Sequence, residues 1–380
     1  MNKKILIHAL GANMGGAMRH LTNFLPELGK QDANTQYTVL VRESFPEMVF
    51  TKNIQLKRIP DKDCSSWIRR ILSDVIMLPF RLKRENFSAI VSLTNFGPIW
   101  TPIPHVFFQR NALYYCPYYL NKISRLLKIE TLLRRSLSLA SMKRATLIVT
   151  PSDAMGGMIC NALPQISERN FHTLYHGFDN NSLAEPLDDK FLKMLASKKG
   201  VKFLFPTHPG VHKGFDILFH ILTHLKTDGV EFSLFTTIER NDWPDGVRML
   251  ECLVRDLGLI NNVVFMGRVP QRQMGGLYEQ CDLMIYPSLC ESFGFSMIEA
   301  MGYGLPIVAA ETAINKEMCG DCALYYPPFD SRAGASVINE ALLPEVSLRL
   351  RERAAKRIAS FDWSWKRYAK EFIEMLENVK

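Results

Sequence analysis

The 380-residue chain has no apolar run long enough to span a bilayer, no internal repeat and no low-complexity segment. Any membrane contact is therefore expected to be peripheral. The opening MNKKILIHAL is basic, but its apolar run is too short for a signal-peptide core and reads as a first strand. Cysteine is sparse and irregular: of eight, only Cys319 and Cys322 form a C-x-x-C, with no second pair or histidine at zinc-finger spacing. Reduced thiols and a cytoplasmic location are the expectation. The dinucleotide fingerprint G-x-G-x-x-G is missing too, because Gly11 is followed by glycine only at Gly15 and Gly16.

What remains is an ordinary globular composition, 47% hydrophobic and 22% charged, in a chain too long for one comfortable core. Two domains are expected, over residues 1–180 and 195–360, with the polar stretch Asn180 to Lys199 as the linker region and a terminal helical segment at 361–380. The formal net charge is +8, and its excess is concentrated between Tyr118 and Ala145. There Lys122, Arg125, Lys128, Arg134, Arg135, Lys143 and Arg144 face only Glu130. Leu120, Ile123, Leu126, Leu127, Leu133, Leu137 and Ala140 recur at helical spacing. A basic amphipathic helix over 118–145 suits an anionic bilayer surface; it also suits an ordinary helix packed on a sheet. No nucleic-acid reading motif accompanies it, so no nucleic-acid partner is expected.

Along the chain, short apolar runs alternate with amphipathic segments. Lys3 to Leu10, Tyr37 to Val41, Ile54 to Ile59, Ala89 to Leu93, His105 to Gln109 and Thr146 to Thr150 read as strands of a doubly wound domain. A glycine-bearing turn, Gly11 to Gly16, follows the first and leads into a helix from about Ala17, where paired glycines suit close approach of a phosphate or sugar. Trp67 to Arg84 interleaves apolar and basic residues. The carboxyl end of the His105 strand puts Gln109 and Asn111 where open α/β sheets bind ligands, as candidates to touch an acceptor sugar. A second domain opens at Val201 to Phe205. Its central stretch, Leu283 to Ala310 (LMIYPSLCESFGFSMIEAMGYGLPIVAA), reads as strand, loop, helix, strand. Glu291 lies on the loop and Glu299 one to two turns into the helix. Gly294 permits close backbone approach, and the amides near Phe295 and Ser296 offer donors and a positive dipole end to an anion. Two carboxylates for hydroxyls beside phosphate donors suit a nucleotide-sugar.

The segment ESFGFSMIEAMGYGLPIVAA resembles the E-x7-E signature of the retaining glycosyltransferases of family 4. The resemblance implies the α/β GT-B fold, two Rossmann-like doubly wound domains with an interdomain cleft. It also implies that the first Glu, Glu291, lies against the donor sugar and the second, Glu299, holds the ribose, with Ser292, Phe293, Gly294 and Phe295 lining the donor. By the same resemblance Gly15 and Gly16 lie beside the donor phosphates, Lys213 neutralises the diphosphate, and Arg268 and Val269 neighbour the base. His208 stands where the family commonly has Arg, and His176 where an Asn is usual. No catalytic His is carried over to the end of the His105 strand.

A retaining transferase with Glu291 and Lys213 as catalytic residues is thus expected, moving a hexose or N-acetylhexosamine to a hydroxyl of a glycan or lipid-linked acceptor, in bacterial-type surface polysaccharide biosynthesis. The donor is expected to be a UDP-sugar, a GDP-sugar being second choice. Asp61-Lys62-Asp63 matches the D-x-D of the other large glycosyltransferase fold, but the nucleotide site has a better home downstream, so no metal and no cofactor is expected. Location on the inner face of the plasma membrane would follow from the basic segment. Two rival classes share the motif: a nucleotide-sugar epimerase of the same fold, and a non-catalytic glycan- or nucleotide-binding protein.

Overall fold

Thirteen short strands form two all-parallel sheets in the computed structural model, which describes residues 3–12, 15–65 and 77–379. Among the described residues the chain divides into two compact units. The first comprises 1–116, 124–177 and 363–380, and the second comprises 117–123 and 178–362.

The first unit holds β1 (Lys4–His8), β2 (Gln36–Arg42), β3 (Ile54–Ile59), β4 (Ala89–Ser92), β5 (His105–Phe108), β6 (Leu147–Thr150) and β7 (Phe171–Thr173), in the order β3-β2-β1-β4-β5-β6-β7. The central strands are mostly apolar and buried at every position, as a sheet covered on both faces requires. Helix α1 (Gly15–Gln31) follows β1 and lays Leu21, Phe24, Leu25 and Leu28 on the sheet. The strand order reverses between β1 and β4, which places a topological switch point at their carboxyl ends.

The second unit repeats the plan with β8 (Val201–Phe205), β9 (Phe232–Thr236), β10 (Val263–Phe265), β11 (Leu283–Tyr286), β12 (Ile307–Ala310) and β13 (Ala323–Tyr326), in the order β10-β9-β8-β11-β12-β13. Its switch point lies between β8 and β11.

Several expectations change in detail. The basic segment 118–145 is not one helix but two, α2 (Pro117–Lys122) and α3 (Arg125–Met142). Ser124 divides them: its backbone is extended, and its Oγ caps α3 by accepting from the Leu127 amide. The polar stretch taken as linker contains a helix, Asp189–Ala196, because Phe191 and Leu195, four residues apart, share a buried face. Of the segment Trp67 to Arg84, residues 67–76 lie outside the described residues, as do Asn13 and Met14 of the first glycine turn; Leu78–Arg84 is helical. Two later helices complete the frame used below, α4 (Phe215–Thr227) and α5 (Phe295–Gly302), followed by α6 (Ala313–Cys319) and the terminal α7 (Trp365–Glu377). Tyr368, Ala369, Phe372 and Leu376 of α7 join the core of the first unit. Among the described residues no helix is long and apolar enough to cross a membrane.

Candidate active site

The switch point of the second unit is built from two loops that the sequence makes short and glycine-dependent. After β8 the chain turns through Gly210 to Gly214, where the Lys213 amide donates to the Gly210 carbonyl at 3.0 Å. Gly214 has φ of 69°, and a Cβ there would sit 2.4 Å from the Pro287 carbonyl oxygen. Only glycine satisfies both the left-handed backbone and that approach. The loop after β11 is pinned in return by the Leu289 amide, which donates to the His212 carbonyl at 3.0 Å. Beneath it the fully buried Asn315 of α6 donates from Nδ2 to the Ala310 carbonyl at 2.8 Å and the Ser288 carbonyl at 3.4 Å.

This clasp brings Lys213 and Glu291 together. Lys213 Nζ donates to Glu291 Oε1 at 2.6 Å, with the two side chains only 14% and 15% exposed. Ser288 Oγ donates to the same oxygen at 2.6 Å, and the buried Tyr286 phenol leans on the carboxylate. Burial alone would raise the Glu291 carboxyl; Lys213 and His212 beside it, with the bonds from Lys213 and Ser288, outweigh that and hold it below the usual carboxylate range. His212 is pushed down to about 4, by burial first and then by the Lys213 ammonium, and is neutral near pH 7. Lys213 keeps two further N–H donors for a second anion.

A second cluster surrounds Glu299. Its side chain is buried in the interior of α5, where Tyr278 donates to Oε2 at 2.7 Å and Gln271 Nε2 to Oε1 at 3.1 Å. A carboxylate oxygen can accept more than one hydrogen bond. Gly294 caps α5 with φ of 87° and no side chain caps the helix; the Met297 amide donates to the Gly294 carbonyl at 3.0 Å. Phe293 is buried against Phe295, their ring centroids 5.0 Å apart, and Ser292 is half-buried beside them.

The third cluster lies after β8, β9 and β10. Arg268 Nη2 donates to Asp242 Oδ1 at 2.7 Å, and His208 Nδ1 stands 3.7 Å from Asp242 Oδ2. His208 and Arg268 thus share one acidic partner, while Val269 is buried.

In the first unit the picture differs. Gly15 and Gly16 begin α1, at the carboxyl end of β1. Gln109 is fully buried, its amide turned to Tyr115 and, at 3.1 Å, to Ser138. Asn111 spends its Oδ1 capping the turn Ala112–Tyr115, accepting from the Leu113 amide at 3.1 Å. Both side chains are thus engaged within the first unit in this conformation. His105 is buried and bonded to Ser92 Oγ at 2.9 Å. Inspection of the sequence also passed over Ser288, Tyr286, Gln271 and Tyr278. Their positions within strand, turn and helix carry no spacing signal, and only the folded loops bring them to the two glutamates.

The chain resembles known proteins in sequence over part of its length and in fold over nearly all of it. Residues 191–360 match the family model "Glycosyl transferases group 1". That match lies within the second unit. The O-antigen chain mannosyltransferase RfbU of Salmonella typhimurium is 29% identical over 126 residues, 33% of this chain and 35% of that protein. The matched stretches span less than half the length of the curated relatives. Among solved structures, the sucrose-phosphate synthase of Thermosynechococcus elongatus superposes with a TM-score of 0.73 at 15% identity, covering 99% of this chain and 98% of that one. Anabaena HepE in complex with UDP-glucose gives 0.70 at 19% identity, covering 99% and 100%. The fold is GT-B: two parallel-sheet α/β units, matched over their whole length by glycosyltransferase structures.

Proposed function

We propose that this protein is a retaining, metal-independent glycosyltransferase that moves a hexose or N-acetylhexosamine from a UDP-sugar to a hydroxyl of a glycan or lipid-linked acceptor in surface polysaccharide synthesis. The observation that carries the reading is the Lys213–Glu291 pair, held at 2.6 Å on the switch-point loops next to a helix start and the buried Glu299. The likeness to a UDP-glucose complex and to an O-antigen mannosyltransferase supports the donor and the product class.

In this reading the chemical problem is charge on the departing diphosphate. Lys213 and the first-turn amides of α5 stabilise it. Glu299 accepts from the ribose hydroxyls and Arg268 flanks the base. His208 stays a donor-loop residue and shares Asp242 with Arg268. Glu291, kept ionised by Lys213, accepts from a donor-sugar hydroxyl. The bond from the anomeric carbon to the leaving phosphate oxygen breaks, the acceptor oxygen bonds to the same face, and its proton passes to the leaving phosphate. The acceptor is held by the first unit, around the residues that follow β5.

We further place the protein at the cytoplasmic face of an anionic membrane. Helix α3 leaves Leu126, Ile129 and Leu133 at 82, 56 and 61% exposure, three and four residues apart on one face, with Arg125, Lys128 and Arg134 alongside. An exposed apolar stripe rimmed by bases fits an interfacial helix, each base near the surface contributing about 1 kcal/mol.

Incubation with labelled UDP-sugars, with and without a lipid-linked saccharide acceptor, tests the reaction. Acceptor-dependent release of UDP with retention at the anomeric carbon supports it. Conversion of the sugar with donor alone points to an epimerase, and saturable binding without any turnover to a binding protein.

A further inference from the structure

The carboxyl end of the first unit's sheet holds a group of basic side chains. Arg110 follows β5, and its placement is fixed from the backbone: Asn95, in the left-handed region with φ of 63°, accepts on Oδ1 from the Arg110 amide at 2.6 Å and the Asn111 amide at 3.0 Å. The Arg110 guanidinium lies over the Phe108 ring at 5.3 Å and donates from Nη2 to the Tyr368 hydroxyl at 3.2 Å. Its Nε is buried without a hydrogen-bond partner, and among the described residues it forms no ion pair. Tyr368 also packs edge-on to His20, ring centroids 4.9 Å apart, and His20 to His176 at 5.2 Å. His20 is buried, and neither of its ring nitrogens has a hydrogen-bond partner among the described residues. Arg19 and Arg367 approach His176, and Glu371 is bonded to Arg367 at 2.6 Å.

A guanidinium so placed, with a buried donor unused and no acid opposite, is costly unless something supplies the countercharge. Arg matches phosphoryl oxygens by its planar fork, and the end of a switch-point strand is where such a ligand enters. We propose that Arg110, flanked by Tyr368 and His20, is a binding site for a phosphoryl oxyanion in the first unit. Within the transferase reading, on which this step rests, the anion belongs either to a phosphorylated acceptor or to the nucleotide diphosphate. Burial pulls both the Arg110 guanidinium and the His20 imidazole below their ordinary ranges.

The test is calorimetric titration of the full chain with inorganic phosphate, glucose 6-phosphate as a phosphomonoester probe, and UDP, in the wild type, Arg110→Met and Arg110→Lys. The ligand-free melting temperature of each is measured alongside. Arg110→Met is expected to weaken phosphate and glucose 6-phosphate about tenfold or more, Arg110→Lys less. The ligand-free melting temperature of Arg110→Met should hold or rise, since an uncompensated buried charge has been removed; a purely structural arginine would lower it. Loss confined to the two phosphates identifies an acceptor phosphoryl group, and loss that extends to UDP identifies the nucleotide. Affinities unchanged in Arg110→Met, or no phosphate binding by the wild type, overturn the site. Failure here is separable from failure of the proposed reaction, because UDP binding through Glu299 and turnover are measured without Arg110.

Discussion

Lys213 and Glu291, 78 residues apart in sequence, meet at 2.6 Å with both side chains about one-seventh exposed, because Gly214 lets one loop close onto the Pro287 carbonyl of the other. Removing one partner leaves the other charge largely buried. Lys213→Met should therefore lower stability by about 3 kcal/mol, whereas the double variant Lys213→Met with Glu291→Gln should recover most of that loss. Urea unfolding of the two single variants and the double closes the cycle. Equal, additive losses would mean that the pair is not coupled in the folded protein.

Acid sensitivity follows from three buried histidines and the half-buried His212. His20 and His176 are held well below their ordinary range, His105 at about 3 and His212 at about 4, in each case by burial first. Neighbouring charge adds to this: Arg110 for His20 and His176, His8 for His105, Lys213 for His212. Because these folded-state values lie below the unfolded one, the unfolded chain takes up protons first as pH falls. Their contribution is complete above pH about 6.5 and is lost below it, at about 1.4 kcal/mol per pH unit for each histidine until its folded value is reached. Urea midpoints measured between pH 7.5 and 5.5 should fall steeply, and His105→Gln should reduce the slope by about one proton. A midpoint independent of pH over that window would contradict the burial of these rings as neutral species.

Membrane contact is testable apart from catalysis. Leu126→Gln with Leu133→Gln exposes no core, so the melting temperature should hold within about a degree, surface substitutions being worth less than about 0.5 kcal/mol. Sedimentation with vesicles containing phosphatidylglycerol should fall several-fold in that variant and should also fall with added salt. Sedimentation that is unchanged by the substitutions would remove the α3 surface from the account.

Much of the architecture was legible in the sequence for a physical reason. Strands such as Ala89–Ser92, Leu283–Tyr286 and Ile307–Ala310 are largely apolar on both faces because both faces of a parallel sheet are covered. The glycines at 214 and 294 mark turns that no other residue fills. What stayed hidden depends on contacts distant in sequence. Tyr278 and Gln271 look like ordinary helix and turn residues until they reach Glu299. Gln109 looked available at a strand end, yet Tyr115 and Ser138, six and 29 residues on, draw it inward. The helix break at Ser124 was also missed: hydrophobic periodicity runs through it, and only the cap tells two helices from one.

The buried Glu299 carboxylate, with one oxygen facing Tyr278 and the other Gln271, carries the central claim that the second unit grips a nucleotide-sugar. Calorimetric titration of UDP into the wild type and Glu299→Ala, in metal-free buffer, tests it directly. Loss of a hydrogen bond to a charged group is worth about 1.5–3 kcal/mol, so the account predicts saturable binding in the wild type and affinity about tenfold or more weaker in the variant. Equal affinities in the two proteins, or binding that appears only with added divalent metal, would contradict it.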